Sequence, residues 1–543
     1  MEGVRITSIG HAGLHLDTAA GSILCDPWFA PAYFASWFPF PANDQLDEEL
    51  MDRVTHPDYL YVSHLHLDHF DPTFLRERVA KTATVLLPDY PMDHLRDALT
   101  ELGFSEFVST RSGVEVEVDG LRFMIVSLTA PTDGPIGDSC LAVDDGTATF
   151  LNQNDARPPD LEALTRFGPY DGHSLQFSGA IWYPMVYDLP VKAKHALGKQ
   201  KRSNGMERAR RYVDAVGARH VFPNSGPPAF LDEDLFALND LPDPEDPLDS
   251  GNPFPDQTVF IDYLRERGVA DVELLIPGST ADLTRAGCTV THRSDPDEPF
   301  RDKHGYLERY RERARPLLDA ERASWARGTE PLQPQLAEWW DPVLAAAPRL
   351  CAGVGDRVLL ATEHERIIVD FVQQRVVPDD GLPCRYRYEI ADALIRTHLR
   401  DRREDWVNGL FLSCRFSAQR TGPYNDYVYM FFKSLSPDRV RYIEEWLALP
   451  KEDKGLWRFG DRLVQRRCPH MGADLARFGH VEDGVLTCDL HGWQYDVTTG
   501  RCLTSDDVHL HTVPVDHDGA EATRAESGAS LDDADPVDDR QAS

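Results

Sequence analysis

Cysteine is scarce. Nine occur among 543 residues. The number is odd and the spacing irregular, which argues against a secreted disulfide scaffold and makes a reducing cytoplasm the expected compartment. Basic charge is also short. Fifty-six Lys and Arg stand against 90 Asp and Glu, a formal net charge of −34. A polyanionic surface repels phosphate backbones and argues against nucleic-acid partners. Lys199-Gln200-Lys201-Arg202 is a local exception that could bind an anion. No apolar run approaches a membrane span, and Met1-Glu2-Gly3-Val4-Arg5 carries no signal-peptide pattern. Gly353-Val354-Gly355 is too short for a dinucleotide fingerprint. The chain therefore shows no NAD or flavin site, and reducing equivalents must come from a partner. No internal repeat is visible.

What is present divides into four stretches. Residues 1–295 alternate β-branched runs (Val4–Ile9, Ser22–Cys25, Tyr59–Val62, Thr84–Leu87, Phe123–Val126) with amphipathic stretches such as Pro72–Val79 and Met92–Leu102. This pattern predicts an α/β domain. It reaches Val272–Leu275 and fades after Pro277-Gly278, with Leu241–Pro255 reading as a long surface loop. Residues 296–447 form a helical and mixed α+β connecting region, with strands expected near Arg357–Leu360 and Arg366–Phe371, a helix near Tyr388–Leu399 and another from Pro437 to Leu449. Residues 448–518 are dense in turns and short strands, as a small all-β module would be. Residues 519–543 are acidic and lack apolar periodicity, so a disordered tail is expected.

The small module contains Cys468-Pro469-His470 and Cys488-Asp489-Leu490-His491. Each short loop offers one thiolate and one imidazole. A Rieske [2Fe–2S] cluster needs two of each, the cysteines on one iron and the histidines on the other. Structural zinc also takes Cys2His2, but zinc fingers pair Cys with Cys and His with His, whereas both loops here are mixed. The stretch 448–518 resembles the Rieske domains of oxygenases and their ferredoxins. Respiratory Rieske proteins add a loop disulfide; the matching position here is Ala473, and Cys502 has no evident partner. Too little chain follows His491 for the usual mononuclear-iron domain, and His509, His511 and His517 read as strand or tail residues. The electron acceptor must lie upstream or on another protein.

Upstream stands Ser63-His64-Leu65-His66-Leu67-Asp68-His69, directly after an apolar run. Alternating His64 and His66 can chelate one ion; Asp68 and His69 can take a second beside it. The motif resembles the His-x-His-x-Asp-His signature of the metallo-β-lactamase superfamily. That resemblance implies an αββα sandwich and one or two bound metals. Gly10-His11-Ala12-Gly13 and Cys25-Asp26-Pro27-Trp28 resemble the opening strands of its divergent branches, and Asp155, after Thr147–Leu151, matches the place of its bridging aspartate. Two family histidines are missing. Asp133 or Asp138 could replace the first, with Asp133 preferred. The second should fall near Pro223-Asn224-Ser225-Gly226, with His220 expected inside a strand. More carboxylate and less imidazole favours iron over hydrolytic zinc.

Leu175–Met185, with Ser178 and Gly179 as pocket candidates, resembles a segment of CMP-N-acetylneuraminate hydroxylases. Those enzymes also join a Rieske domain to a metallo-β-lactamase-like domain, in the opposite order. The expected function is a Rieske-coupled, iron-dependent monooxygenase acting on a small molecule. An external ferredoxin or reductase would feed Cys468, His470, Cys488 and His491, with iron at His64, His66, Asp68, His69, Asp155 and Asp133. Asp68 and His69 are the candidate catalytic residues. A zinc hydrolase with a redox-sensing Rieske domain, and a non-catalytic electron carrier, are the alternatives. The aromatic stretches Leu412–Phe416 and Gly422–Phe432 read as strand core, with a dock for the cluster domain as the other reading.

Overall fold

The computed structural model describes residues 3–130, 137–179, 181–241, 250–449, 455–459, 461–505 and 508–515. Asp133, His517 and the acidic tail from 519 lie outside them.

Val4–Gly10 turns tightly at His11 and Ala12 and pairs antiparallel with Gly13–Thr18, which pairs with Gly21–Cys25. This meander is the centre of an eight-stranded sheet. Its order is Gly287–Thr291, Thr280–Thr284, Val4–Gly10, Gly13–Thr18, Gly21–Cys25, Tyr59–Tyr61, Thr84–Leu87, Phe107–Ser109. A six-stranded sheet runs His220–Asn224, Gly172–Gln176, Thr149–Asn154, Asp138–Asp144, Leu121–Leu128, Glu115–Val118. The sheets face each other across one apolar layer, where Ile6, Leu16, Ile23 and Tyr61 meet Phe123, Leu141, Phe150 and Phe222. Burying the facing sides of both sheets leaves two outer apolar faces, and helices cover them. Glu48–Thr55, Pro72–Glu77 and His94–Glu101 pack Leu50, Val54, Leu75 and Leu99 on the first sheet. Val191–Val216 and Gln257–Arg265 cover the second with Tyr212, Val213, Phe260 and Leu264. This is the expected metallo-β-lactamase-like αββα sandwich.

Caps tie helices to the site's loops. Asp71 accepts the Phe74 N–H at the start of Pro72–Glu77, and its other oxygen accepts the N–H groups of Phe29 and Ala30 at 3.0 and 2.7 Å. On the long helix Val191–Val216, Gly198 has a close neighbour: a Cβ there would stand 1.8 Å from the Gly251 carbonyl oxygen. Only glycine admits that approach.

The sheet does not fade after Pro277-Gly278. Thr280–Thr284 pairs with Val4–Gly10 and with Gly287–Thr291. Val272–Leu275, read as a strand, makes only an isolated bridge from Val272 to Val221. Tyr388–Leu399 is two elements, strand Tyr386–Ile390 and helix Asp392–Arg400. The aromatic run before Phe432, read as strand core, is core but helical: Asp426–Phe432 is a helix capped by Asn425. Alternation misled there because the helix is apolar nearly all round and Val428 to Phe432 are all buried.

The stretch expected as a connector contains its own sheet. Five strands run Arg375–Pro378, Arg366–Asp370, Arg357–Ala361, Tyr386–Ile390, Phe416–Arg420. Helices Leu332–Ala345, Pro348–Val354, Asp392–Arg400, Asp426–Phe432 and Pro437–Ala448 join them in a core around Trp340, Trp406, Phe431 and Phe432. That core continues into the sandwich through Trp28, Tyr33, Trp37 and Phe230. The charged helix Lys303–Ser324 lies instead on the sandwich, with Leu307 and Tyr310 against Phe38 and Phe40.

The C-terminal module has two three-stranded sheets. One holds Leu456–Phe459, Arg462–Gln465 and Thr512–Pro514; the other holds Gly479–Glu482, Val485–Cys488 and Trp493–Asp496. Its core is continuous with the layer under helix Val191–Val216. Tyr212 packs on Phe478 with ring centroids 5.0 Å apart. Arg211 pairs with Asp489 at 2.7 Å and Arg467 with Asp160 at 3.0 Å.

Candidate metal centres

The upstream site forms where strands of both sheets end. Residues 63–69 follow Tyr59–Tyr61, Asp26 follows Gly21–Cys25, Asp155 follows Thr149–Asn154, and Ser225 follows His220–Asn224. Four non-glycine residues there, His11, Asp26, Asn154 and Ser225, adopt left-handed backbone with φ of 52°, 41°, 57° and 46°. Such conformations are disfavoured singly and cluster at functional sites. Here they turn side chains back into the space between the strand ends.

Asp26 organises the loop. Its Oδ1 accepts the Ser63 N–H at 2.7 Å, and its Oδ2 accepts the Ser63 hydroxyl at 2.8 Å and an Asn154 amide N–H. The same Oδ2 faces His69 Nδ1 at 3.3 Å. A carboxylate on Nδ1 places the proton there and leaves Nε2 free to act as a ligand. His69 Nε2 lies 3.5 Å from Asp155 Oδ1 and 3.7 Å from Asp68 Oδ2. His69 Nε2 and Asp155 Oδ1 are both buried without a hydrogen-bond partner. Buried polar atoms rarely stay unpaired, so this orphaned pair fits an ion between them.

Two donor groups stand out among the described residues: His11, Asp68 and His69, and His64, His69 and Asp155, each with ligand atoms within 4.8 Å of one another. His66 joins the second group, its Nδ1 2.8 Å from His64 Nε2. The structure thus brings together His64, His66, Asp68, His69 and Asp155. It adds His11, whose Nε2 is 3.1 Å from Asp68 Oδ2. The sequence offered a signal for His11, since Gly10 and Gly13 flank it in a tight turn, but its left-handed φ is a tertiary fact. Asp138 faces His64 Nδ1 at 3.3 Å, where it orients the ring. His220 begins its strand, away from this cluster. Asn224 and Ser225 reach the site through Asn154: the Ser225 hydroxyl donates to Asn154 Oδ1 at 2.9 Å.

Asp68 is held on both oxygens. Tyr33 OH donates to Oδ1 at 2.5 Å and His11 faces Oδ2. Burial works against its charge, but His69 and His11 outweigh burial and hold the carboxyl well below its usual range. Burial likewise opposes a charged His69, yet Asp155 and Asp68 raise it well above the usual value. Burial, then His69 and His66, push His64 well below. A nitrogen- and carboxylate-rich set of this kind suits first-row divalent ions.

In the Rieske module both loops close alike. Gly472 N–H donates to the Cys468 carbonyl and Gly492 N–H to the Cys488 carbonyl, each at 2.8 Å. Both glycines have φ of 73°. The loops present Cys468, His470, Cys488 and His491 to one another, with the imidazole centroids 5.1 Å apart. Nδ1 of His470 and of His491 are both buried and unpartnered. Tyr495 OH lies 3.2 Å from Cys468 Sγ. Two thiols and two orphaned Nδ1 atoms fit a [2Fe–2S] cluster bound two and two. Ala473 is buried in the loop, and the Cys502 thiol accepts the Ser505 N–H at 3.4 Å.

The two centres share a boundary. His470 Nε2 faces Asp426 Oδ2 at 3.4 Å, and Tyr424 OH donates to Asp426 Oδ1 at 3.0 Å. The charge of Lys433, one residue past that helix, bears on both His66 and His491.

A family model described as an Rv3818-like, SCP2-like domain matches residues 332–449, and a Rieske [2Fe-2S] domain model matches residues 427–514. A Rieske 2Fe-2S iron-sulfur protein of Mycolicibacterium smegmatis is 49% identical over 518 residues, covering 92% of this chain and 98% of that protein. This chain belongs to the Rv3818-like Rieske iron-sulfur proteins. This chain carries the sandwich, the SCP2-like domain and the Rieske domain together. The two matches overlap, and packing separates them: Val428, Phe431, Val440 and Ile443 lie in the SCP2-like core. The cytidine monophosphate-N-acetylneuraminic acid hydroxylase of Cricetulus griseus is 30% identical over 196 residues, 32% of this chain and 33% of that protein. Among solved structures, CmlA, a diiron beta-hydroxylase from Streptomyces venezuelae, aligns over 54% of each chain at TM-score 0.33 and 15% identity.

Proposed function

We propose that this protein is a Rieske-coupled, iron-dependent oxygenase that hydroxylates a small organic molecule, supplied with electrons by an external ferredoxin or reductase. The overall change takes R–H, O2, two electrons and two protons to R–OH and water. The [2Fe–2S] cluster would supply single electrons and the upstream iron would supply oxygen activation. Cys468, His470, Cys488 and His491 would hold the cluster. His11, His64, His66, Asp68, His69 and Asp155 would hold the iron.

One observation carries the reading. The cluster loops and the upstream site both border the helix Asp426–Phe432: Asp426 faces His470, and the charge of Lys433, the next residue, acts on both centres. A tethered sensor domain would need no shared core, whereas a relay needs a short, fixed separation. The partial likeness to a hydroxylase supports the same reaction class. The chain's own residues then have defined tasks. Asp26 and Asp138 hold His69 and His64 in one tautomer and orientation. Asp68, tied to Tyr33 and His11, is placed as a fixed carboxylate rather than a mobile base. Trp28, Tyr33 and Trp37 wall the site from bulk water.

Metal analysis and reductant-driven O2 uptake test the proposal. His66→Ala should remove upstream iron and leave the Rieske resonance; His470→Ala should do the reverse. Either should stop the coupled reaction. Zinc upstream, or turnover that survives in folded His470→Ala, would replace the oxygenase with a hydrolase.

A further inference from the structure

A protein of net charge −34 has anions to spare for its cations, yet one group of four goes without. Arg157, Arg208, Lys201 and Arg420 have no carboxylate within salt-bridge distance among the described residues. Arg157 instead donates to the Gln176 side-chain oxygen at 3.1 Å. Arg208 donates to the Ser178 carbonyl at 3.2 Å. Lys201 stands over the Tyr183 ring at 5.7 Å, and Arg420 over the same ring at 5.9 Å. All four thus gather around Gln176, Ser178 and Tyr183. Their charges bear on one another, and burial, then Arg157, pushes Arg208 down to about 9.

The nearby carboxylates are engaged elsewhere. Asp155 faces His69 and accepts the Gln176 amide at 2.5 Å. Asp489 pairs with Arg211 and His480. Ser178 Oγ is buried beside the Arg208 contact and has no hydrogen-bond partner. Like charges crowded without counterions destabilise the ligand-free protein, which marks the group as serving something that arrives. A guanidinium pair suits carboxylate or phosphate oxygens.

The placement supplies direction. Gln176 connects Arg157 to Asp155, a donor of the upstream centre, in two hydrogen bonds. Arg157 and Arg208 also act on His491 of the Rieske loops. Arg157 and Arg208 therefore sit beside the upstream metal site on the side of the cluster, with Lys201 and Arg420 next to them around Tyr183. We infer that Arg157, Arg208, Lys201 and Arg420 bind the carboxylate or phosphate group of the substrate, so that the reaction acts on a small organic anion held with its reacting end toward Asp155 and His69. The word substrate rests on the oxygenase reading; the anion site does not.

The test uses the full-length protein with its metals loaded. Inorganic phosphate and citrate are titrated at constant ionic strength against chloride, and the melting temperature is followed. A ligand that binds only the folded state raises it. Phosphate or citrate should raise the melting temperature of the wild type, and Arg208→Gln and Arg157→Gln should each abolish the rise. No rise in the wild type, or an equal rise in both folded variants, overturns the site. Iron content and the Rieske resonance of the same samples keep the two ideas apart. An anion response that depends on Arg208 in protein lacking upstream iron would sink the oxygenase and leave the anion site standing. Full iron with no anion response would do the opposite.

Discussion

His470 Nε2 stands 3.4 Å from Asp426 Oδ2, and Asp426 belongs to the SCP2-like domain rather than to the Rieske module. The contact leaves His470 Nδ1 free on the cluster side. Asp426 is itself held by Tyr424. It is a positioning residue with a negative charge beside a cluster ligand. Asp426→Asn keeps the shape and removes the charge. A reduced cluster carries more negative charge, so its reduction should become easier. Redox titration should show a higher potential, with the resonance retained and electron delivery to the upstream site slowed. An unchanged potential would mean that the contact is only packing.

The support under His69 is a second target. Asp26 sets the His69 tautomer and also holds Ser63 and Asn154. Losing a carboxylate behind a metal-binding histidine typically costs about 10–100-fold in metal affinity. Asp26→Asn should weaken upstream iron binding by that order while the Rieske signal persists. Competition with a chelator measures it.

Docking of the Rieske module can be loosened without touching a ligand. Tyr212 packs on Phe478 and its hydroxyl donates to the Pro158 carbonyl at 2.9 Å. Truncating a buried aromatic costs roughly 3–5 kcal/mol. Tyr212→Ala should lower the denaturant midpoint and expose the 448–518 segment to protease, with O2 uptake falling more than cluster content. Equal loss of both would indicate that the module unfolds instead.

Glu207 provides a pH signature. Burial opposes its ionisation, but hydrogen bonds from Arg210 and Tyr263 outweigh it and bring its carboxyl from 4.5 to about 2. A carboxyl with a depressed folded value stabilises above its unfolded value and loses that contribution as pH falls toward the folded one. Glu207 should therefore lend stability above pH 4.5 that disappears between 4.5 and about 2. Glu207→Gln should flatten the acid limb of the stability curve in that window, and identical acid unfolding of both proteins would refute it.

Sequence reading located the three donor loops because ligands close in sequence leave a spacing. Cys468–His470, Cys488–His491 and His64–His69 each lie within one turn or loop. The α/β class was likewise legible in β-branched runs separated by amphipathic stretches, while the αββα layering came from the resemblance carried by His64–His69. Where the signals were short or uniform, reading failed: Asp426–Phe432 is apolar on nearly every side, so its period carried no information. In the connecting region two strands, Arg357–Ala361 and Arg366–Asp370, were legible as short apolar runs, but the five-stranded sheet they belong to was not, since its other strands are four or five residues long and their partners are distant in sequence.

The sequence by itself determined which residues could bind metal, because chelation demands particular side chains at close intervals. Only the tertiary structure decided their company. His11 reaches Asp68 across 57 positions, Asn154 reaches Asp26 across 128, and Arg211 meets Asp489 in another domain. The same holds for the cations, of which only Lys201 stood in a visibly basic run. Arg157, Arg208 and Arg420 come together because strand ends, one long helix and the SCP2-like sheet converge on Gln176, Ser178 and Tyr183. Such convergence follows from burying separate apolar faces against one another, a global condition that no local pattern encodes.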